Sequence, residues 1–139
     1  MIADVARLAS TETIVRLTLH VLAASVWVGG QLVLAGLIPT VRRLGEGATQ
    51  KVAQAFARLQ WPAFTVLIIT GIWNYVAMGR HATGAWNAVF GVKLVVVLLA
   101  GAATRLHTSA KNAATRGLWA SVSAFASIGA LVLGVALAG

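Results

Sequence analysis

Residues 17–39 read LTLHVLAASVWVGGQLVLAGLIP, an apolar run interrupted only by Thr18, His20, Ser25 and Gln31. At about 1.5 Å per residue, a helix of this length crosses a ~30 Å hydrocarbon core. It is also too long for the apolar part of a signal peptide. The run reads as a transmembrane helix, and three more of the same kind follow it. Trp61 to Met78 comes after an amphipathic lead-in, Lys51 to Gln60, whose Val52, Ala53, Ala55, Phe56 and Leu59 recur at helical spacing. A third run extends from about Ala85 to Leu106 around the dense stretch Leu94 to Ala100, and a fourth from Leu118 to Ala138. The expected architecture is an all-α integral membrane protein, a bundle of four transmembrane helices in a single domain over 1–139, with spans at about 15–40, 61–79, 85–107 and 117–138. Pro62 is expected to kink the second span or begin its membrane part.

Composition agrees. Hydrophobic residues make up 59% of the chain and charged ones 10%, against about 25% charged in a soluble domain. The formal charge of +8 would suit nucleic acid. The basic residues, however, fall in clusters between apolar runs, the pattern of a chain that flanks a bilayer, so nucleic acid is not an expected partner. With no cysteine, disulfides, thiolate metal sites and cysteine nucleophiles are excluded.

Orientation follows from lysine and arginine, which cytoplasmic loops retain. The connection between spans one and two carries Arg42, Arg43, Lys51 and Arg58; that between three and four carries Arg105, Lys111 and Arg116. The intervening connection has only Arg80, and near the N-terminus Arg7 and Arg16 are offset by Asp4 and Glu12. Both termini are therefore expected on the extracytoplasmic side of the cytoplasmic membrane. Trp61 and Trp119 fall near the expected inner boundary and Trp86 near the outer, as an aromatic belt requires. The line Ala126, Ala130, Gly134 and Ala138, at four-residue spacing, permits close approach of a neighbouring helix.

Ionisable groups inside a bilayer cost a few kcal/mol on insertion scales, so each is a functional candidate. His20 and Lys93 are the two here. On a helical wheel Trp27 and Gln31 fall within about 20° of His20, giving one polar stripe expected to face the bundle interior. His20, Lys93, and Trp73 with Asn74 lie at similar depths, about 8–12 Å from the outer ends of their spans. One reading is a pocket in which His20 gives a ring nitrogen to a metal or haem iron while Lys93 and Asn74 bind an anionic or polar group. The other is that Lys93 snorkels to the interface and His20 hydrogen-bonds nearby backbone. Met78 as a soft copper or axial ligand, and His81 as a further metal ligand with His20, are weighed against interface packing and a solvated loop histidine. His107, among Arg105 and Lys111, reads as interfacial rather than a ligand. No phosphate-binding glycine loop is present, and Asp4, Glu12 and Glu46 lie outside the spans, which sets aside carboxylate-pair hydrolysis and acidic proton relays.

The stretch LTLHVLAASVWVGGQLVLAGLIPTVRRLG resembles the opening helix of the copper-resistance D (CopD) domain family: a histidine, a tryptophan followed by a glycine pair, and a proline before basic residues. Here these are His20, Trp27, Gly29, Gly30, Pro39, Arg42 and Arg43. LIITGIWNYVAM and WNAVFGVKLVVVLLAGAATRLH are similar to that family's second and third helices, with Gly71 and the pair Lys93, Leu94. The resemblance covers roughly residues 15–107 and extends more distantly to HemJ-type membrane proteins. It implies copper homeostasis or transport at the cytoplasmic membrane, with a copper ion handled by the chain. In the HemJ-like branch it implies a b-type haem and electron transfer, the chain then being a haem-dependent oxidoreductase. A third reading is a structural subunit of a larger membrane complex, or a homo-oligomer, packed through small-residue faces. CopD proteins are usually about twice this length, and the chain lacks their methionine- and histidine-rich stretches.

Overall fold

The computed structural model describes residues 8–138; Asp4 and Arg7, counted in the charge balance above, lie outside them. The described residues form helices and turns, with four helices long and apolar enough to cross a membrane. The first, α1, runs Thr11–Arg42; it is α-helical over Thr11–Ala24, π-helical over Ser25–Gly29 and α-helical again over Gly30–Arg42. Ser10 caps it, its Oγ accepting from the Thr13 backbone N–H at 3.3 Å. The next helix, α2, is Ala48–Met78 and runs through Pro62 without interruption, so the amphipathic lead-in and the second apolar run are one element. A turn with Gly45 at φ 123° and Gly47 at φ 74° reverses the chain between them, a backbone conformation that glycine adopts without strain. A short 3-10 turn, Gly79–His81, leads to α3, Gly84–Ser109, capped by Thr83, and α4 follows at Ala113–Ala138.

Gly84–Ser109 packs along Ala113–Ala138, the most extensive contact in the bundle, and the first helix packs along Ala48–Met78. Glycines set how closely these helices approach. A Cβ at Gly101 would lie 2.6 Å from Phe64 Cζ, and one at Gly30 would collide with the Phe56 ring. Phe64 and Phe56 of α2 therefore sit in notches that only glycine leaves open. Gly29, the other half of the glycine pair, faces open space. Trp27, Trp61 and Phe64 form an aromatic cluster with centroids 4.5–5.9 Å apart. Trp61 is thus half-buried against the first helix and lies near the middle of α2, not at a helix end.

The residues of α1 that turn away from the surface, including Arg16, His20, Ala23, Trp27, Gln31 and Val41, recur three and four apart, as one face of a helix must. Outward positions such as Val21, Val33, Val95, Phe125 and Val135 leave large apolar side chains exposed around the bundle, the arrangement that suits contact with lipid. Lysines and arginines mark the end where the Arg42–Ala48 and Ser109–Ala113 connections lie; it is called the basic end here, and the opposite one the terminal end.

Candidate functional site

Helix contacts fix which residues share a level. In the antiparallel pair α2 and α3, Tyr75 meets Phe90 at a centroid distance of 4.6 Å and Phe64 meets Gly101. That register places Lys93 level with Ile72. Between α1 and α2, Arg16 meets Asn74 and His20 meets Thr70. Between α1 and α4, Trp27 and Gln31 meet Ser127 and Ser123, which puts His20 level with Gly134. Lys93 reaches that same glycine: a Cβ there would lie 3.0 Å from its Nζ. His20 on α1, Thr70 on α2, Lys93 on α3 and Gly134 on α4 therefore form one layer in the terminal half of the bundle.

Within this layer His20 is held in one protonation arrangement. Thr70 Oγ1 donates its only hydrogen to the Val66 carbonyl at 2.6 Å, so at 2.7 Å from His20 Nδ1 the hydroxyl oxygen accepts. Nδ1 therefore carries the proton and Nε2 keeps its lone pair. Nε2 has no hydrogen-bond partner among the described residues, and His20 as a whole is half-buried. An imidazole steered through one nitrogen, with the other left as a base, is how proteins present histidine to a metal. Gly71 lies beside the ring, its Cβ position 3.8 Å from His20 Cε1.

One turn toward the terminal end lies a residue that charge counting put outside the bundle. Arg16 is 5% exposed, and its Nη1 donates to Asn74 Oδ1 at 2.6 Å. Asn74 thus holds Arg16 rather than joining His20. Close by, Trp73 Nε1 donates to Glu12 Oε1 at 3.1 Å.

Toward the basic end lies a second polar group of different character. Trp27, 3% exposed, donates from Nε1 to Ser127 Oγ at 2.9 Å. Gln31 Nε2 donates to the same oxygen at 3.4 Å, and Gln31 Oε1 accepts from Ser123 Oγ at 3.3 Å. Ser123 in turn shares a 2.6 Å bond with Thr104 on α3. The two residues that line up with His20 on the helical wheel are therefore committed to fastening α1 onto α4. These hydroxyls, like Thr70, carried no charge to draw notice in the sequence. The four-residue spacing of Ser123 and Ser127, beside the small-residue line that begins at Ala126, is the one signal that could have found them.

Met78 and His81 lie elsewhere. They line a shallow pocket of about 120 Å³ with Ala82, Thr83 and Trp86 at the terminal end. Along α2 and the turn after it they are eight and eleven residues beyond Thr70, on the order of 12–16 Å at the helical rise. His20 and His81 are therefore not brought together, and among the described residues no three His, Cys, Asp or Glu side chains group as a metal cluster. His107 Nδ1 pairs with the Arg116 carbonyl oxygen at 2.8 Å at the basic end, tying α3 to the start of α4. Trp86 Nε1 donates to the Leu137 carbonyl at 3.2 Å, meeting one of the last carbonyls of α4.

Comparison with protein-family models, with curated proteins and with solved structures finds no match to this chain.

Proposed function

We propose that this chain is a multi-pass protein of the cytoplasmic membrane, both termini extracytoplasmic, that handles a metal through His20 in copper homeostasis, the role its resemblance to the CopD family implies. The observation that carries this reading is the Thr70 clamp, which leaves His20 Nε2 as a lone pair without a partner among the described residues. Copper is cargo in this reading. A single imidazole gives it a transient stop, and at the terminal end Met78 offers a softer thioether beside the imidazole of His81.

A second reading is favoured by Lys93, whose ammonium is seated on Gly134 level with His20. A cation there disfavours a resident copper ion and favours a cofactor that brings its own negative charge. A b-type haem has this character: His20 Nε2 would hold its iron and Lys93 would pair with a propionate, the haem supplying one-electron chemistry when bound. The chain's own contribution is to hold the imidazole through Thr70.

One preparation separates these readings. Detergent-purified protein from haem- and copper-replete cells is analysed by absorption spectroscopy and elemental analysis. Bound copper without a Soret band, lost in His20→Ala, supports the copper assignment. A Soret band with stoichiometric iron, lost in the same variant, supports haem. A chain carrying neither, in cells whose copper tolerance is unchanged by its deletion, removes both and leaves a structural subunit.

A further inference from the structure

The guanidinium of Arg16 is only half engaged. Its Nη1 is taken by Asn74 Oδ1, while Nε is cut off from solvent with no acceptor. Nη2 makes no hydrogen bond among the described residues. Nε and Nη2 lie on the same edge of the guanidinium plane, the edge that receives two oxygens of one oxyanion in parallel. Asn74 turns its oxygen to Arg16, so the amide that remains is a donor as well. The nearby carboxylate, Glu12, accepts from the Trp73 indole. The Arg16 edge and the Asn74 amide both donate, Arg16 with a positive charge, and a buried donor edge without an acceptor is costly enough that one is expected to be supplied.

We propose that Arg16 and Asn74 form a binding site for a phosphate oxyanion, which docks side-on against Nε and Nη2. Arg16 is in the second turn of α1, roughly 8 Å along the axis from the helix start at Thr11, within reach of a phospholipid headgroup phosphate and of a free phosphate entering from the water phase. The site stands whether or not His20 holds a metal.

The test is thermal unfolding of detergent-purified protein followed by tryptophan fluorescence, in separate titrations with inorganic phosphate, phosphatidylglycerol and the phosphate-free lipid diacylglycerol. Wild type is expected to show a saturable rise of several degrees in Tm with phosphatidylglycerol or inorganic phosphate and none with diacylglycerol. A response to the lipid alone assigns the headgroup; a response to both assigns the free oxyanion. Arg16→Gln is expected to lose the response. Should that variant not fold, Asn74→Asp supplies an internal carboxylate to Arg16, and it is expected to raise the starting Tm and abolish the response. Lys93→Gln is expected to keep it. The site is refuted if wild type responds to neither phosphate compound, if Asn74→Asp responds as wild type does, or if the response disappears only with Lys93.

Discussion

Replacing Thr70 by valine keeps the shape of the side chain and removes the one oxygen that receives His20 Nδ1–H at 2.7 Å. The bond Thr70 donates to Val66 matters less, because that carbonyl lies within helix α2. The main loss is an unsatisfied imidazole donor inside the bundle. A fully buried donor left without a partner costs about 1–3 kcal/mol. Measured interhelical hydrogen bonds in membranes average about 0.6 kcal/mol and reach about 1.7. His20 is half-buried, so the expected destabilisation is about 1 kcal/mol. Thr70→Ser retains the hydroxyl and is expected to stay within about 0.5 kcal/mol of wild type. The assay is reversible unfolding in mixed detergent micelles. The functional readout is separate: loss of a second partner that orients a metal-bound histidine typically lowers affinity about 10–100-fold, measured by competition for copper or by haem titration. If Thr70→Val unfolds as wild type does and binds as tightly, the tautomer argument for His20 fails.

Three further outcomes follow from the packing. Gly101→Ala sets a methyl group 2.6 Å from Phe64 Cζ and is expected to cost about 1–3 kcal/mol, whereas Gly29→Ala meets nothing within 4 Å and is expected to be neutral or slightly stabilising; equal effects in the same unfolding assay would contradict the notch geometry. Trp27→Phe keeps the aromatic cluster but leaves Ser127 without its indole donor, and a loss of about 1 kcal/mol is expected, largely absent when Ser127 is already alanine; a double-mutant cycle measures this, and additivity would show the bond to be idle. Gly134→Ala presses on the flexible end of Lys93, so stability is expected to change by less than about 0.5 kcal/mol while any anion or cofactor contact made by that ammonium shifts; an unfolding midpoint displaced as far as in Gly101→Ala would show that Lys93 is rigidly held.

The helices themselves were legible because some twenty consecutive apolar residues leave a chain few alternatives, and the four long helices lie over the four runs. His20 and Lys93 stood out because ionisable groups are rare in such surroundings. Arg16 was misjudged for the same reason in reverse. Near the N-terminus, beside Glu12, it had the look of a flanking charge, and its partner Asn74 is 58 positions away. Pro62 suggested a kink or the start of the membrane part, and the helix runs on through it, as happens when neighbouring helices support the segment. The π-helical turn at Ser25–Gly29 leaves no pattern in hydropathy. Nor could sequence separate the stripe of His20, Trp27 and Gln31 into a half-buried imidazole and a fastening. That division depends on which neighbour each residue meets, and so on the registers of α2 and α4.

The fastening itself is made of Trp27, Gln31, Thr104, Ser123 and Ser127, none of which gains or loses a proton between about pH 3 and 10. Acid or alkali that alters the charged side chains at the helix ends leaves this fastening as it was. The bonds that join the first, third and fourth helices in the basic half would thus be the same at either extreme.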